Sequence, residues 1–214
     1  MTDIALPYFL ARPADEAPAP GVVVIHEGNG ISTQLLRVCQ RLAGEGYTAM
    51  APDLFFRAGG SEAADVVTLM ESLDPAATAS DIERSIGRLR HDGAPAVGIV
   101  GFCMGGYHAY RTALHSDHCD AAVSFYGARI AAEVGRPRCP TQLFFAGEDD
   151  YIPTADIEAV VAHHPETVVY RAAHHGFMRD RSPSYDETAA TDAWGRLLEF
   201  LALHLGASPR SGGR

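Results

Sequence analysis

Short runs in which nearly every position is apolar alternate with longer stretches in which apolar residues return every three or four positions. The runs are GVVVIHE (21–27), YTAMAPD (47–53), PAVGIVGF (95–102), DAAVSFYG (120–127), TQLFFAG (141–147) and ETVVYRAA (166–173). Their compactness and two-sided apolarity predict strands covered on both faces. The helical spacing predicts helices near 32–45, 62–72, 78–92, 105–116, 154–163 and 186–205. In the last of these Trp194, Leu197, Leu198, Leu201 and Leu205 form one apolar stripe. A further strand around 3–11, ahead of a Pro/Ala-rich turn at 13–20, predicts an edge partner for the sheet. Strand–helix alternation of this kind specifies an α/β fold, a mostly parallel central sheet with helices on both faces.

The 214 residues suffice for one domain over 1–205, with no repeat, linker or separate lid domain, followed by a small, glycine-rich tail at 206–214 that is expected to be loose. Lysine and arginine number 17 against 27 aspartate and glutamate, a formal charge of −10. That balance argues against nucleic acid as a partner, because phosphate backbones require clustered basic residues. No apolar run approaches the roughly 20 residues of a membrane helix, and the N-terminal stretch has neither the basic start nor the apolar core of a secretory signal. The expectation is a cytoplasmic protein, monomeric or weakly self-associating, without a membrane partner. Cys39, Cys119 and Cys139 then read as reduced, buried small residues.

In an open α/β sheet, ligands bind beyond the carboxyl ends of the strands. The residues found there are His26, Glu27 and Gly28, then Asp53 and Arg57, then Cys103, Tyr126, Asp149 and Asp150, and finally His174, His175 and Arg179. Cys103 sits in GFCMGG, between an apolar run and a helix-compatible stretch. This is the thiol form of a strand–turn–helix nucleophile elbow, in which Gly101 and Gly105 are required by the close approach of strand and helix. The helix start supplies partial positive charge and free N–H groups, which favour a thiolate and an oxyanion. Met104 is the expected first oxyanion donor and Gly28 the second. The chain order Cys103, Asp149, His175 is the nucleophile–acid–histidine order of α/β-hydrolases.

The segments IHEG, APDLFFR, GFCMGG, FYG, GEDDYIP and HHGFMR, spread over most of the chain, make the sequence resemble the dienelactone hydrolase family. The resemblance implies an α/β-hydrolase fold with no cofactor, Cys103 as nucleophile, Asp149 as the acid that orients the imidazole and His175 as the base. It further implies that Glu27 holds the resting thiol and that Arg57 and Arg179 grip a substrate carboxylate. The match to Gly-x-Asp selects Asp149 and leaves Asp150 as a solvated charge. The spacing to Phe177 and Arg179 selects His175 over His174. His163 and His164 read as surface residues at a helix end, Tyr126 as either a pocket residue or a core tyrosine, and Arg179 as either a carboxylate ligand or a solvated loop charge. No metal-ligand spacing is present.

The implied activity is hydrolysis of a small-molecule ester or lactone, an anionic, dienelactone-type lactone above all, through an acyl-thioester. A free thiol has a pKa near about 8.5, and a carboxylate beside a thiolate opposes its ionisation. Glu27 is therefore expected to act as a catch on the thiol that an anionic substrate releases. Gly28 and Asn29 depart from the bulky apolar residues usual after this glutamate, which predicts a pocket with one wall removed. The alternatives are a redox-responsive thiol protein, which would need a resolving cysteine near Cys103, and a non-catalytic binder on the same fold.

Overall fold

A computed structural model describes residues 6–14 and 17–206. The tail from 207 onward and the first residues of the expected 3–11 strand lie outside the described residues. Seven strands, β1 (Tyr8–Ala11), β2 (Gly21–Ile25), β3 (Thr48–Pro52), β4 (Val97–Phe102), β5 (Ala121–Phe125), β6 (Thr141–Glu148) and β7 (Val168–His174), form one sheet in the order β1-β3-β2-β4-β5-β6-β7. β1 pairs antiparallel with β3, and every other pairing is parallel. The helices are α1 (Thr33–Gly44), α2 (Val66–Glu71), α3 (Pro75–His91), α4 (Met104–His115), α5 (Thr154–His163) and α6 (Glu187–Leu205). This is an α/β-hydrolase arrangement with no separate lid.

The alternation of side chains along the strands divides the core in two. Val22 and Val24 of β2 join a cluster with Leu35 and Val38 of α1 and Trp194, Leu197 and Leu201 of α6. Val23 and Ile25 join a second cluster with Ile82, Ile86 and Leu89 of α3. Each of these large apolar side chains contributes about 1.5–3 kcal/mol when fully buried. Leu198 lies at the margin of the α6 stripe, only partly buried.

Three expectations need correction. α2 is shorter than 62–72, because the Asp65 side chain accepts from the Thr68 N–H and starts the helix only there. α3 begins earlier than 78, because Asp74 caps it and Pro75 occupies its first turn, where a missing N–H costs nothing. β7 is not covered on both faces. It ends the sheet, and Arg171, Ala172 and His174 are exposed.

The chain order reverses between β2 and β4, which lie side by side in the sheet. The crevice at that switch point opens between the residues that follow Ile25 and Phe102, so Glu27 and Cys103 flank it.

Candidate active site

Cys103 links β4 to α4 with φ 53° and ψ −118°, a backbone conformation that side-chain-bearing residues rarely adopt. Such strain costs about 1–3 kcal/mol and persists only where the surroundings enforce it. Here the Cys103 N–H donates to the Phe125 carbonyl at 3.0 Å, and its own carbonyl accepts from the Tyr107 N–H at 3.2 Å. The glycines make the turn sterically possible. A Cβ on Gly101 would stand 1.9 Å from the Gly105 carbonyl oxygen, and one on Gly105 would stand 2.4 Å from that of Ile25. The thiol is thus lifted over the sheet's edge, half-buried, at the start of α4. Met104 opens that helix, where the first N–H groups lack intrahelical acceptors.

His175 follows β7, and its Nδ1 lies 2.8 Å from Asp149 Oδ2. The other Asp149 oxygen accepts from the N–H groups of Tyr151 (2.8 Å) and Ile152 (3.0 Å), which hold the carboxylate in place. Nδ1 therefore carries the proton that Asp149 accepts, and Nε2 is left for chemistry. Nε2 is buried and forms no hydrogen bond. Cys103 is a neighbour that, with Asp149, favours the charged form of the ring. Burial works to lower the His175 pKa, but the bond to Asp149 and the neighbouring Cys103 outweigh it and raise it to about 9. A charged imidazole is the form that this environment favours at His175. Asp150 and His174 are both exposed, and His174 turns to the Glu148 carbonyl at 2.9 Å.

Glu27 is buried beside this pair and is already satisfied. Its Oε1 accepts from the Tyr126 hydroxyl at 2.9 Å and its Oε2 from Arg179 Nε at 2.9 Å. The expected hydrogen bond from the Cys103 thiol to Glu27 is not formed; Tyr126 and Arg179 occupy its two oxygens instead. Tyr126 is fully buried at φ 40°, and its phenol is pushed well above the usual range by burial first, then by Glu27, with a smaller push from Cys103. Burial opposes the charge on Arg179, yet Glu27 raises its pKa and Cys103 adds to that effect. Glu27, Tyr126, Arg179 and Cys103 thus form one electrostatic cluster. Arg179 is brought into the site, and Tyr126 enters it through its hydroxyl.

Arg57 is not brought there. Its guanidinium forms a two-point pair with Asp81 of α3, whose side chain is 1% exposed, and stacks on Phe56. Arg84 Nη1 lies 3.7 Å from Asp81 Oδ1, so the buried carboxylate sits between two guanidiniums, with Arg57 making the two-point contact. The space above Gly28 is not vacant either. A Cβ there would stand 2.8 Å from Val66 Cγ1 and 2.9 Å from Met70 Sδ, so α2 supplies the wall that the glycine was expected to remove. His164 is not a surface residue: it is buried, and its Nε2 meets the Tyr110 hydroxyl at 2.9 Å.

Two residues were given no role by the sequence. The fully buried His26 donates from Nδ1 to the Glu27 carbonyl at 2.7 Å and accepts at Nε2 from the Leu54 N–H at 3.1 Å, so it ties the Glu27 loop to the end of β3. Burial holds its pKa below the ordinary value, against the opposing effects of that backbone bond and Asp53. Tyr151 packs its exposed ring on His175 with centroids 4.8 Å apart, opposite in kind to the buried Tyr126 ring at 4.9 Å. Its position two residues after Asp149 was the available signal; His26 offered none, since its partner lies 28 residues away. Among the described residues, no three His, Cys, Asp or Glu side chains gather to hold a metal ion, and no helix is long and apolar enough to cross a membrane.

Comparison with known proteins places the chain in one family. The family model for the dienelactone hydrolase family matches residues 6–205. A Salmonella typhi protein named "Putative carboxymethylenebutenolidase" is 31% identical over 226 residues, covering 94% of this chain and 84% of its own. A Synechocystis protein of the same name is 31% identical, with 92% and 91% covered. The crystal structure of a "Putative Dienelactone Hydrolase" from Klebsiella pneumoniae superposes with a TM-score of 0.83 at 30% identity, covering 92% of each chain.

Proposed function

The chain belongs to the dienelactone hydrolase family and is a hydrolase of ester or lactone bonds, and from that premise we propose that Cys103 is its nucleophile and that the reaction passes through an acyl-thioester. One observation carries the reading. His175 is held through Nδ1 by Asp149 while its Nε2 is buried and without a hydrogen bond, and the neighbouring Cys103 favours the charged ring.

The Cys103 thiolate attacks the substrate carbonyl, and a carbon–sulfur bond forms as the carbonyl electrons move onto oxygen. The N–H groups of Met104 and Gly28 receive that oxyanion. Collapse expels the alkoxide or enolate, which takes the proton from His175 Nε2, and leaves the thioester. His175, now neutral, accepts a proton from water as the water attacks. The second collapse releases the acid and restores the thiolate and imidazolium. In a lactone, leaving group and acid belong to one product.

Substrates with a carboxylate are favoured, because Arg179 lies partly exposed in the site with only its Nε committed to Glu27. A carboxylate on its remaining N–H groups makes a charge-assisted contact without displacing Glu27. Arg57 acts at a distance, as the counter-charge that fixes Asp81 and the turn after β3.

The test is a mass measurement on the protein quenched during turnover of p-nitrophenyl acetate. An acetyl group on the peptide containing Cys103, absent from Cys103→Ala, is the expected result. A burst of nitrophenol that survives Cys103→Ala overturns the reading.

A further inference from the structure

At the opposite end of the sheet from the catalytic crevice, two of the remaining cysteines meet. Cys119 precedes β5 and Cys139 precedes β6, and the Sγ atoms are 3.5 Å apart. The five residues of β5, about 17 Å of extended chain, separate this point from the carboxyl ends of the strands. The contact follows from the parallel register of β5 and β6, which sets Ala122 opposite Thr141 and so lays the two entry segments side by side. Those segments are tied in place. The Ala122 N–H donates to the Pro140 carbonyl at 2.9 Å, and Arg138 donates from its backbone to Ala113 (2.7 Å) and from Nε to Leu114 (3.0 Å) at the end of α4.

We propose that Cys119 and Cys139 are a peroxide-oxidisable dithiol, in which Cys139 is attacked first and Cys119 closes an intramolecular disulfide. Access assigns the order, since Cys139 is half-buried and Cys119 is buried. Charge agrees with it. The contact with Cys119 lowers the Cys139 pKa against the opposing effect of burial, while the same contact and then burial push Cys119 up. Cys139 is therefore the more readily ionised of the two thiols. Its thiolate takes one oxygen from hydrogen peroxide, forming a sulfenic acid and releasing hydroxide. The Cys119 sulfur then attacks the sulfenic sulfur, a sulfur–sulfur bond forms, and the sulfenic oxygen leaves as water with the Cys119 proton. Two electrons pass from the thiols to the peroxide. The sulfurs must close from 3.5 Å to about 2 Å, a movement that small side-chain rotations supply. Sulfenic acid at Cys139 is thereby withdrawn from further oxidation, and α4, β5 and β6 gain a covalent tie without any change at Cys103.

The test treats the reduced protein, and separately Cys103→Ser, with hydrogen peroxide, alkylates free thiols under denaturing conditions and maps the peptides. The expected result is a Cys119–Cys139 cross-linked peptide in both proteins, lighter by two hydrogens and reversed by dithiothreitol. Of the three thiols left in Cys103→Ser, only Cys39 is then alkylated. In Cys119→Ser, Cys139 should instead advance to sulfinic acid. Full alkylation of Cys119 and Cys139 after peroxide, or a cross-link that joins either to Cys103, overturns the proposal. The outcome in Cys103→Ser is independent of which residue is the catalytic nucleophile.

Discussion

Arg179 donates from Nε to Glu27 at 2.9 Å across 152 residues of chain, and the pair sits beside the Cys103 sulfur. A buried ion pair of this kind is not free stability, since desolvating both charges offsets most of their attraction. Its value lies in what it does to a third charge. Glu27 places a negative charge near Cys103, and Arg179 cancels much of it.

Glu27→Gln removes the negative charge and leaves Arg179 uncompensated. Cys103 should then be alkylated by iodoacetamide several-fold faster at neutral pH, on the order of 10-fold for a change worth about 1.4 kcal/mol. Alkylation at an unchanged or lower rate means that Glu27 does not restrain the thiol.

Asp149→Asn keeps the shape of the Asp149–His175 contact but removes its charge. kcat/KM for p-nitrophenyl acetate should fall by about 10²–10⁴. The His175 pKa, raised to about 9 in the folded protein from the ordinary 6.5, should drop. A raised folded pKa stabilises the fold fully below pH 6.5 and loses that contribution as pH rises through about 9. Urea unfolding of the two proteins should therefore differ most near about pH 6 and converge near about pH 10. A constant difference across that range counts against an imidazolium at His175.

Arg179→Ala and Arg57→Ala separate two roles. Arg179→Ala should raise KM for an anionic lactone by about 10-fold or more and leave KM for a neutral ester within about twofold, while kcat falls for both because Glu27 loses its counter-charge. Arg57→Ala should leave both KM values within about twofold and cost about 1–2 kcal/mol of stability in urea unfolding, because it strips a partner from a buried carboxylate. A selective KM effect at Arg57 would return it to the substrate-binding group.

Gly105→Ala and Gly87→Ala form a matched pair within helices. The first drives a methyl group to 2.4 Å from the Ile25 carbonyl oxygen and 2.6 Å from that of His26, and should yield no soluble folded enzyme. The second meets nothing within 4 Å in the C-terminal part of α3 and should stabilise by about 0.5–1 kcal/mol in urea unfolding. Folded, active Gly105→Ala would mean that the elbow is not sterically constrained.

The strands, the helices, the elbow glycines and the order of Cys103, Asp149 and His175 were legible along the chain because each rests on local rules. Apolar period reports which faces are covered, glycine reports where backbones crowd, and capping residues report where helices start. Even the errors at α2 and α3 are of this local kind, since Asp65 and Asp74 were there to be read as caps. Partner choice was not legible. Arg57 pairs with Asp81, Glu27 accepts from Tyr126 and Arg179 rather than from a thiol, and Val66 and Met70 fill the space over Gly28. His164 is drawn inward to Tyr110, and Cys119 meets Cys139 because β5 and β6 are neighbours in register. A charged or polar side chain several ångströms long can satisfy itself with any of several partners, and only the order of strands and the packing of helices on them decide which one is within reach.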